Sequence, residues 1–371
     1  MIQLARREDC SGCGACAAAC PHEAIVMEAD GMGFRYPHVD ASRCVDCGLC
    51  EKVCAFSPAE GGGEIEAEAI RFPALLDGSQ SGGLASALME KAVLEGYIVY
   101  GAAMDAGFVV RHRRVTTLEQ LPPLRLSKYV QSDMDGIPSK VLEDLRAGKK
   151  VLFTGTPCQC AGIGSLCAAF RERLILADIV CHGVPAPHVW RDYLPWASRG
   201  RHLTGALFRD PSLGWHEHKE VLLFGEEREV REEYTFLFYR HLMLRPSCSV
   251  CPFASLSRPS DITMADCWGV EKVLPGFADD NRGCSLLLAN TEAGKAFTAV
   301  FPQACERKNI PLQQVIQRNM VRPTKPGRYA KSFENDYLRR GFAYVQAHYG
   351  SNSLNYKLEN LVWQVKKRFR K

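Results

Sequence analysis

The chain has 371 residues, 46% hydrophobic and 24% charged, with a formal net charge of +4, the make-up of a globular protein with two or three domains and a sizeable core. The last twenty residues carry six Lys/Arg against one Glu, leaving a body of about −1, which argues against nucleic acid as a partner. The N-terminus lacks a secretory layout and no stretch approaches the roughly 18 to 20 apolar residues of a membrane span, so a cytoplasmic location is expected.

Seventeen cysteines in a reducing compartment point to metal and not to disulfides. Cys10, Cys13, Cys16 and Cys20, followed by Pro21, read C-x2-C-x2-C-x3-C-P, and Cys44, Cys47, Cys50 and Cys54 repeat the same gaps 34 residues later. This is the spacing of a bacterial two-cluster 4Fe-4S ferredoxin domain, over about residues 1–57. The fourth cysteine of each run serves the other cube. Cluster I is therefore assigned to Cys10, Cys13, Cys16 and Cys54, and cluster II to Cys44, Cys47, Cys50 and Cys20. Zinc prefers two separated C-x2-C pairs and fits less well. The following SPAEGGGEIEAE combines Pro, consecutive Gly and acids, so 58–69 is expected to be a flexible linker.

From about residue 70 apolar runs alternate with helical stretches, as in an α/β or α+β domain over 70–345. Strands are expected at 97–103, 108–115, 151–154, 174–180, 220–224 and 284–289, and helices at 83–95, 138–147, 187–198, 233–244 and 292–300. Ser79, Ser81, Gly82 and Gly83 stand at the start of the first helix, where free N–H groups attract phosphate, although Ser and Gly there often serve as plain caps. RLSKYVQSDM, residues 125–134, reads as a surface loop. Cys158 follows the strand at 151–154, and Cys181 with His182 follows 174–180; in an open α/β sheet that edge is where ligands sit. Cys248 and Cys251 form another C-x2-C, so Cys158, Cys181, Cys248 and Cys251 make a four-thiolate set that suits iron–sulfur or zinc. Cys160 competes with Cys158 as the ligand. Cys267, Cys284 and Cys305 read as small core residues, and Asp266 and Trp268 as possible flanks of a site or as packing. No acid–base catalyst can be named; His182 is a candidate, with a structural role the competing reading.

GSQSGGLASAL, SKYVQSDM, FTGTPCQCAGI, DIVCHGVPAPHVW, CSVCPFA and DITMADCWG, in that order, resemble the beta-subunit family of the coenzyme F-420 hydrogenases and dehydrogenases over residues 70–300. With the ferredoxin domain fused in front, the arrangement resembles the input subunit of reduced-F-420 dehydrogenase. The resemblance implies a mixed α/β flavin-binding domain holding FAD and a third 4Fe-4S cluster. It places flavin contacts at Ser81, Gly82, Gly83, Lys128, Tyr129, Thr154, Gly155, Thr156 and Gln159. It implies an oxidoreductase between a hydride-carrying coenzyme, F-420 or similar, and a one-electron protein partner such as ferredoxin or a redox-complex subunit. A ferredoxin-fed reductase of an organic substrate and a wiring subunit without a substrate are the competing readings. No G-x-G-x-x-G follows a strand, which disfavours a Rossmann-type NAD site. The tail, 346–371, sets Leu354, Leu358, Leu361, Val362, Val365 and Phe369 on one face of a basic helix, which suits its own domain, a partner or the surface of a membrane.

Overall fold

Each four-cysteine run of the computed structural model turns through a left-handed glycine, Gly14 at φ 78° and Gly48 at φ 73°, into a short helix, α1 (Ala15–Ala19) and α2 (Leu49–Lys52). Only glycine enters that conformation without strain. The structure describes residues 6–57, 65–278, 280–354 and 356–357. Between the two runs lies an antiparallel hairpin, β1 (Ile25–Ala29) and β2 (Arg35–Val39), with Ile25 opposite Val39.

The remaining elements follow as β3 (Glu66–Arg71), α3 (Leu84–Leu94), β4 (Tyr97–Met104), β5 (Val110–Val115), α4 (Ile137–Arg146), β6 (Lys150–Gly155), α5 (Pro157–Leu166), β7 (Leu174–Ile179) and α6 (Pro187–Ser198). Then come β8 (Gly205–Leu207), β9 (Glu220–Phe224), β10 (Glu227–Arg231), α7 (Glu233–Tyr239), β11 (Ile262–Asp266), α8 (Val270–Val273), β12 (Ser285–Ala289), α9 (Glu292–Thr298), β13 (Glu306–Asn309) and α10 (Ala330–Tyr349). Eight strands form one mixed sheet in the order β13-β3-β12-β11-β7-β6-β4-β5, and β10-β9-β8 form a second sheet. Strands β4, β6, β7 and β11 run parallel, while the other pairings are antiparallel.

Parallel strands are covered on both faces and so read as unbroken apolar runs. Val151, Leu152 and Phe153 of β6 are fully buried. Val141, Leu145, Ile163 and Cys167 pack with Val151 and Phe153 on one side, and Leu84, Ala87, Leu88 and Ala92 of α3 pack with Leu152 on the other. Fold class and the expected strands agree with this architecture, and α6 occupies the expected 187–198. The helix expected over 233–244 stops at Tyr239, because His241 adopts φ 55° and leaves the helical path.

The stretch 58–69 does not remain a linker to its end, since β3 starts at Glu66 and lies between β12 and β13. Two of the acids that suggested a solvated tether are paired: Glu66 lies 3.2 Å from Lys295 Nζ, both Glu68 carboxylate oxygens accept from Arg307 at 2.5 Å, and pairing is what lets a strand carboxylate be buried. Helix α10, absent from the sequence expectations, breaks at Gly341 (φ 77°) and ends at Gly350. Of the tail's apolar face only Leu354 lies within the described residues, where it is exposed; Leu358, Leu361, Val362, Val365 and Phe369 lie outside them.

The N-terminal module is fastened to the large sheet domain through backbone carbonyls. Gln131 Nε2 donates to Ser11 O at 2.9 Å, His188 N to Met32 O at 3.0 Å, and Arg35 pairs with Asp133 at 2.9 Å. Helix α5 closes the joint. A Cβ on Gly162 would meet Cys13 Sγ at 2.7 Å and Cys13 Cβ at 3.0 Å, so only glycine permits this approach. Gly162→Ala is expected to cost roughly 1–3 kcal/mol through overpacking, read by chemical denaturation; wild-type stability would show that the joint is looser than described.

Candidate functional site

The carboxyl ends of the parallel strands open onto a cavity of about 450 Å3, within the roughly 300–1,000 Å3 usual for small-ligand sites. Thr154 and Gly155 end β6, Thr156 caps α5, Ile179 ends β7 and Asp266 ends β11, and all line it. Strand ends of this kind are where open α/β sheets bind ligands. Of the residues expected to touch a flavin, Ser81, Gly83, Lys128, Tyr129, Thr154, Gly155, Thr156 and Gln159 line this one cavity. Gly82 does not line it. A Cβ there would meet Ile70 O at 2.3 Å and Ser285 N at 2.5 Å, so this glycine serves the packing of α3's entry against the sheet.

Helix α3 starts at the cavity with no side-chain cap on its N–H groups, and its positive dipole end faces a potential ligand. Beside it, both amide atoms of Gln80 are buried without a hydrogen-bond partner among the described residues. A buried amide left in that state costs free energy, so a polar ligand is the fitting partner. The Lys128 ammonium donates to Arg125 O at 2.5 Å, and burial pushes its pKa down to about 7. The RLSKYVQSDM segment is therefore cavity wall and not a surface loop.

Behind the wall runs a closed hydrogen-bond chain. Gln159 Nε2 donates to Ser132 Oγ at 3.0 Å, Ser132 Oγ lies 2.8 Å from His112 Nδ1, and His112 Nε2 lies 3.0 Å from Thr154 O. Burial lowers the His112 pKa to about 4, so the ring is neutral and its one proton satisfies Thr154 O. Gln159 Oε1 accepts from Thr156 N at 2.9 Å, completing a capping box. Both ends of the Gln159 amide are thus engaged in holding the Thr154–Thr156 loop. His182 also lines the cavity, 2.8 Å from His241 through Nε2; burial, then His241, lowers its pKa to about 4, which removes it as a cationic acid at neutral pH. Asp266 is paired to Arg209 at 2.8 Å and accepts from Trp215 Nε1 at 2.7 Å, while Trp268 stacks on Trp215; both Asp266 and Trp268 line the cavity.

The remaining wall is sulfur. Cys181 lines the cavity, and Thr156 Oγ1 lies 3.2 Å from Cys158 Sγ. Burial raises the Cys158 thiol to about 11 and the Cys248 thiol to about 12, with neighbouring thiols of the same set adding to it. Cys181 is raised further by burial and by Cys248, Cys158 and Cys251. Backbone N–H groups already point at these sulfurs: Gly183 N reaches Cys181 Sγ and Val184 N reaches Cys248 Sγ, both at 3.4 Å. Arg258 braces the set, donating to Asp178 at 2.8 Å, to Ile179 O at 2.9 Å before Cys181 and to Phe253 O at 2.8 Å after Cys251. Cys160 stands apart in the core, fully buried, its thiol directed to Ala177 O. Cys267 and Cys284 are likewise fully buried core thiols, and Cys305 is half-buried.

In the N-terminal module, the Cys16 thiol is raised by burial and by Cys13, Cys10 and Cys54, and Cys20, Cys44, Cys47 and Cys50 line one small cleft. Each observation brings together residues of one expected set. Cys158 in turn acts on Cys13, so the large-domain set adjoins the first N-terminal set. Among the described residues no three His, Cys, Asp or Glu side chains converge on a single-ion position, and this holds for all three sulfur groups alike. No helix among the described residues is long and apolar enough to cross a membrane.

Sequence reasoning missed Gln80, His112, Ser132 and Arg245. Arg245, three residues before Cys248, lies against Cys10; only its place beside the C-x2-C hinted at it.

The sulfur groups mark an iron–sulfur protein, and the comparisons agree on that point. Residues 9–57 match the 4Fe-4S dicluster domain, and residues 148–316 match the C terminus of the coenzyme F420 hydrogenase/dehydrogenase beta subunit. Residues 148–316 thus carry a region of this beta-subunit type, with a dicluster domain at the N-terminus of the chain. Ser81, Lys128 and Tyr129 precede the second matched span. One component of the Na(+)-translocating ferredoxin:NAD(+) oxidoreductase complex of Acetobacterium woodii is 44% identical over 48 residues, 13% of each chain. The trichloroethene reductive dehalogenase of Dehalococcoides mccartyi is 37% identical over 64 residues, 15% of this chain and 12% of that protein. The chain thus spans about an eighth of these curated relatives. A chain of the F420-reducing NiFe hydrogenase complex from Methanosarcina barkeri aligns over 80% of this chain and 96% of its own, at 17% identity and a TM-score of 0.46.

Because its native pKa is about 7 and its unfolded pKa about 10.4, Lys128 holds fewer protons in the native state across that interval, so stability rises with pH there. Below pH 7 both states are protonated and the burial penalty is felt in full. Lys128→Met should stabilise the ligand-free protein at pH 6 and lose that advantage progressively up to about pH 10. Urea denaturation of both proteins at pH 6, 8 and 10 measures this; parallel pH profiles would refute the buried-cation reading.

Proposed function

We propose that this protein is an iron–sulfur flavoprotein oxidoreductase that passes electrons between a two-electron hydride carrier and a one-electron protein partner, using FAD and three 4Fe-4S clusters. The observation that carries this reading is a shared wall: Thr156 lines the cavity and touches Cys158, and Cys181 belongs both to the cavity and to the thiol set. A two-electron site and a one-electron site are thereby in contact.

The donor set suits iron–sulfur at the third group. Buried thiols give up protons only against a cationic centre, and every donor of the set is sulfur. The N-terminal eight, which belong to a 4Fe-4S dicluster domain, are likewise all sulfur donors. Cys158, Cys181, Cys248 and Cys251 would hold the third cluster; Cys10, Cys13, Cys16 and Cys54 would hold the first, and Cys44, Cys47, Cys50 and Cys20 the second.

The cavity suits FAD because it offers an unpartnered amide at Gln80, an uncapped helix start at Ser81 to Gly83, and a buried ammonium at Lys128. Lys128, Tyr129 and the Thr154, Gly155 and Thr156 loop complete the set that would hold it, and Gln159 fixes that loop. When bound, a flavin takes up a hydride and gives up its electrons singly. The chain's own part is to hold a cation at Lys128 against negative charge, keep His112 and His182 neutral, and exclude water at the strand ends. The hydride carrier would be coenzyme F420 or a similar deazaflavin, as the family description suggests, and the partner a ferredoxin or redox-complex subunit, as the Acetobacterium relative's name suggests. A second reading, reduction of an organic substrate, is favoured by the hydrogen-bonded pair His218 and Tyr239, 2.7 Å apart in the cavity wall near Trp268; activity with reduced F420, NADH or a viologen dye separates the two.

Anaerobically prepared protein should contain ~12 Fe, three four-iron cubes, and one FAD. Cys158→Ser should lose about four of these irons, whereas Cys160→Ser should keep all of them. Iron at ~8 with one zinc would remove the third cluster, and full iron without any flavin would leave a wiring subunit.

A further inference from the structure

Four arginines are almost fully buried in this fold: Arg71, Arg209, Arg245 and Arg258. Three of them meet a carboxylate, Arg71 with Asp280, Arg209 with Asp266 and Arg258 with Asp178. Arg245, at 2% exposure, meets none among the described residues. Its Nε donates to Cys10 O at 2.7 Å, its Nη2 to Arg35 O at 2.8 Å and its Nη1 to Gln131 Oε1 at 3.0 Å. The guanidinium lies over the Tyr36 ring at 4.3 Å, with Phe34 at 5.3 Å. Carbonyls and ring faces satisfy its N–H groups, but they do not balance a full buried charge.

What faces Arg245 on both sides is sulfur. Nη2 lies 3.8 Å from Cys10 Sγ, and on the other side the Arg245 carbonyl accepts from Cys248 N at 3.0 Å. The residue stands where the large-domain thiol set and the first N-terminal set adjoin. A Cβ on Gly12 would come within 2.9 Å of its Nη1, so the loop carrying Cys10 and Cys13 is built around this side chain. Its position is fixed by groups that carry no charge, which leaves its own charge unspent.

We propose that Arg245 is the counter-charge shared by the Cys10 set and the Cys158 set, and that it raises the reduction potential of the clusters these sets hold. This rests on the cluster reading above. A fixed cation favours the added electron, because reduction makes each thiolate-ligated cluster more negative. Arg245 is thus a positioning and tuning residue between two one-electron centres, and the cluster of the Cys20, Cys44, Cys47 and Cys50 group, which it does not touch, escapes the effect.

The test is an anaerobic redox titration followed by electron paramagnetic resonance on the full-length wild type, Arg245→Gln and Arg245→Lys, with iron determined for each. Signals are assigned through Cys16→Ser and Cys158→Ser. In Arg245→Gln the two adjoining clusters should become at least tenfold harder to reduce, a fall of about 59 mV for one electron, while the third signal stays in place. Arg245→Lys, which keeps the charge and loses the planar fork, should shift less than tenfold. Unshifted potentials in Arg245→Gln at full iron, or equal shifts in both variants, would overturn the proposal. If Arg245→Gln loses iron, Arg245→Lys decides, and its losing iron as well would assign Arg245 a purely structural role. A wild type showing only the two N-terminal signals would sink the third cluster instead, and the Cys10 signal would still judge Arg245.

Discussion

Much of this molecule depends on how helix α5 is seated. Its N-cap, Thr156, forms one edge of the cavity, its second residue carries the Cys158 thiol, and its Gly162 lies against Cys13 of the N-terminal module. One ten-residue helix thus touches the cavity, the large-domain sulfur set and the first N-terminal set. The capping box of Thr156 and Gln159 fixes where the helix begins, and the chain through Ser132 and His112 ties that box back to the strand that feeds it. A shift in this helix would move all three regions together, which is why its small residues are spent on close approach.

The second constraint is charge in a place without water. The buried thiols of the three groups cannot ionise in a low-dielectric interior on their own, and the upward shifts at Cys13, Cys16, Cys158 and Cys248 express that cost. The fold answers with backbone N–H groups aimed at sulfur, from Ala24 to Cys20, from Gly183 to Cys181 and from Val184 to Cys248. It also keeps the structural charges separate: Arg258 and Asp178 neutralise each other in the core, so the brace for the Cys248–Cys251 turn adds no net field of its own.

The chemistry-bearing parts of this architecture were the more legible ones. Cysteine spacing marked the N-terminal eight as a dicluster domain, because short loops let those thiols converge. Strand-end position marked Cys158 and Cys181, since a short apolar run such as Val151 to Phe153, closed by Gly and Pro, suits an interior strand. Residues that act across distance in sequence were not legible. His112, Ser132 and Gln159 form one network from three separate elements, and nothing local in a strand reading VRHRRV distinguishes His112 from its charged neighbours. Nor did local pattern reveal β3, whose Glu68 looks solvated until Arg307, on a strand far along the chain, is placed beside it.

Burial also gives the sulfur groups an order. Cys181 lines the cavity with Cys158 and Cys248 close by, Cys10 is buried beside Arg245, and the exposed thiols are Cys47 of the second N-terminal set and Cys54 of the first. A centre that exchanges electrons with another protein has to come near a surface, whereas one that handles a hydride pair gains from exclusion of water and oxygen. The two requirements conflict within a single site. On the proposed function, a cavity at the sheet's carboxyl edge and exposed thiols in the N-terminal module would meet both. If the proposed function holds, the N-terminal module would be the end for a protein partner and the strand-end cavity the end for a small two-electron carrier.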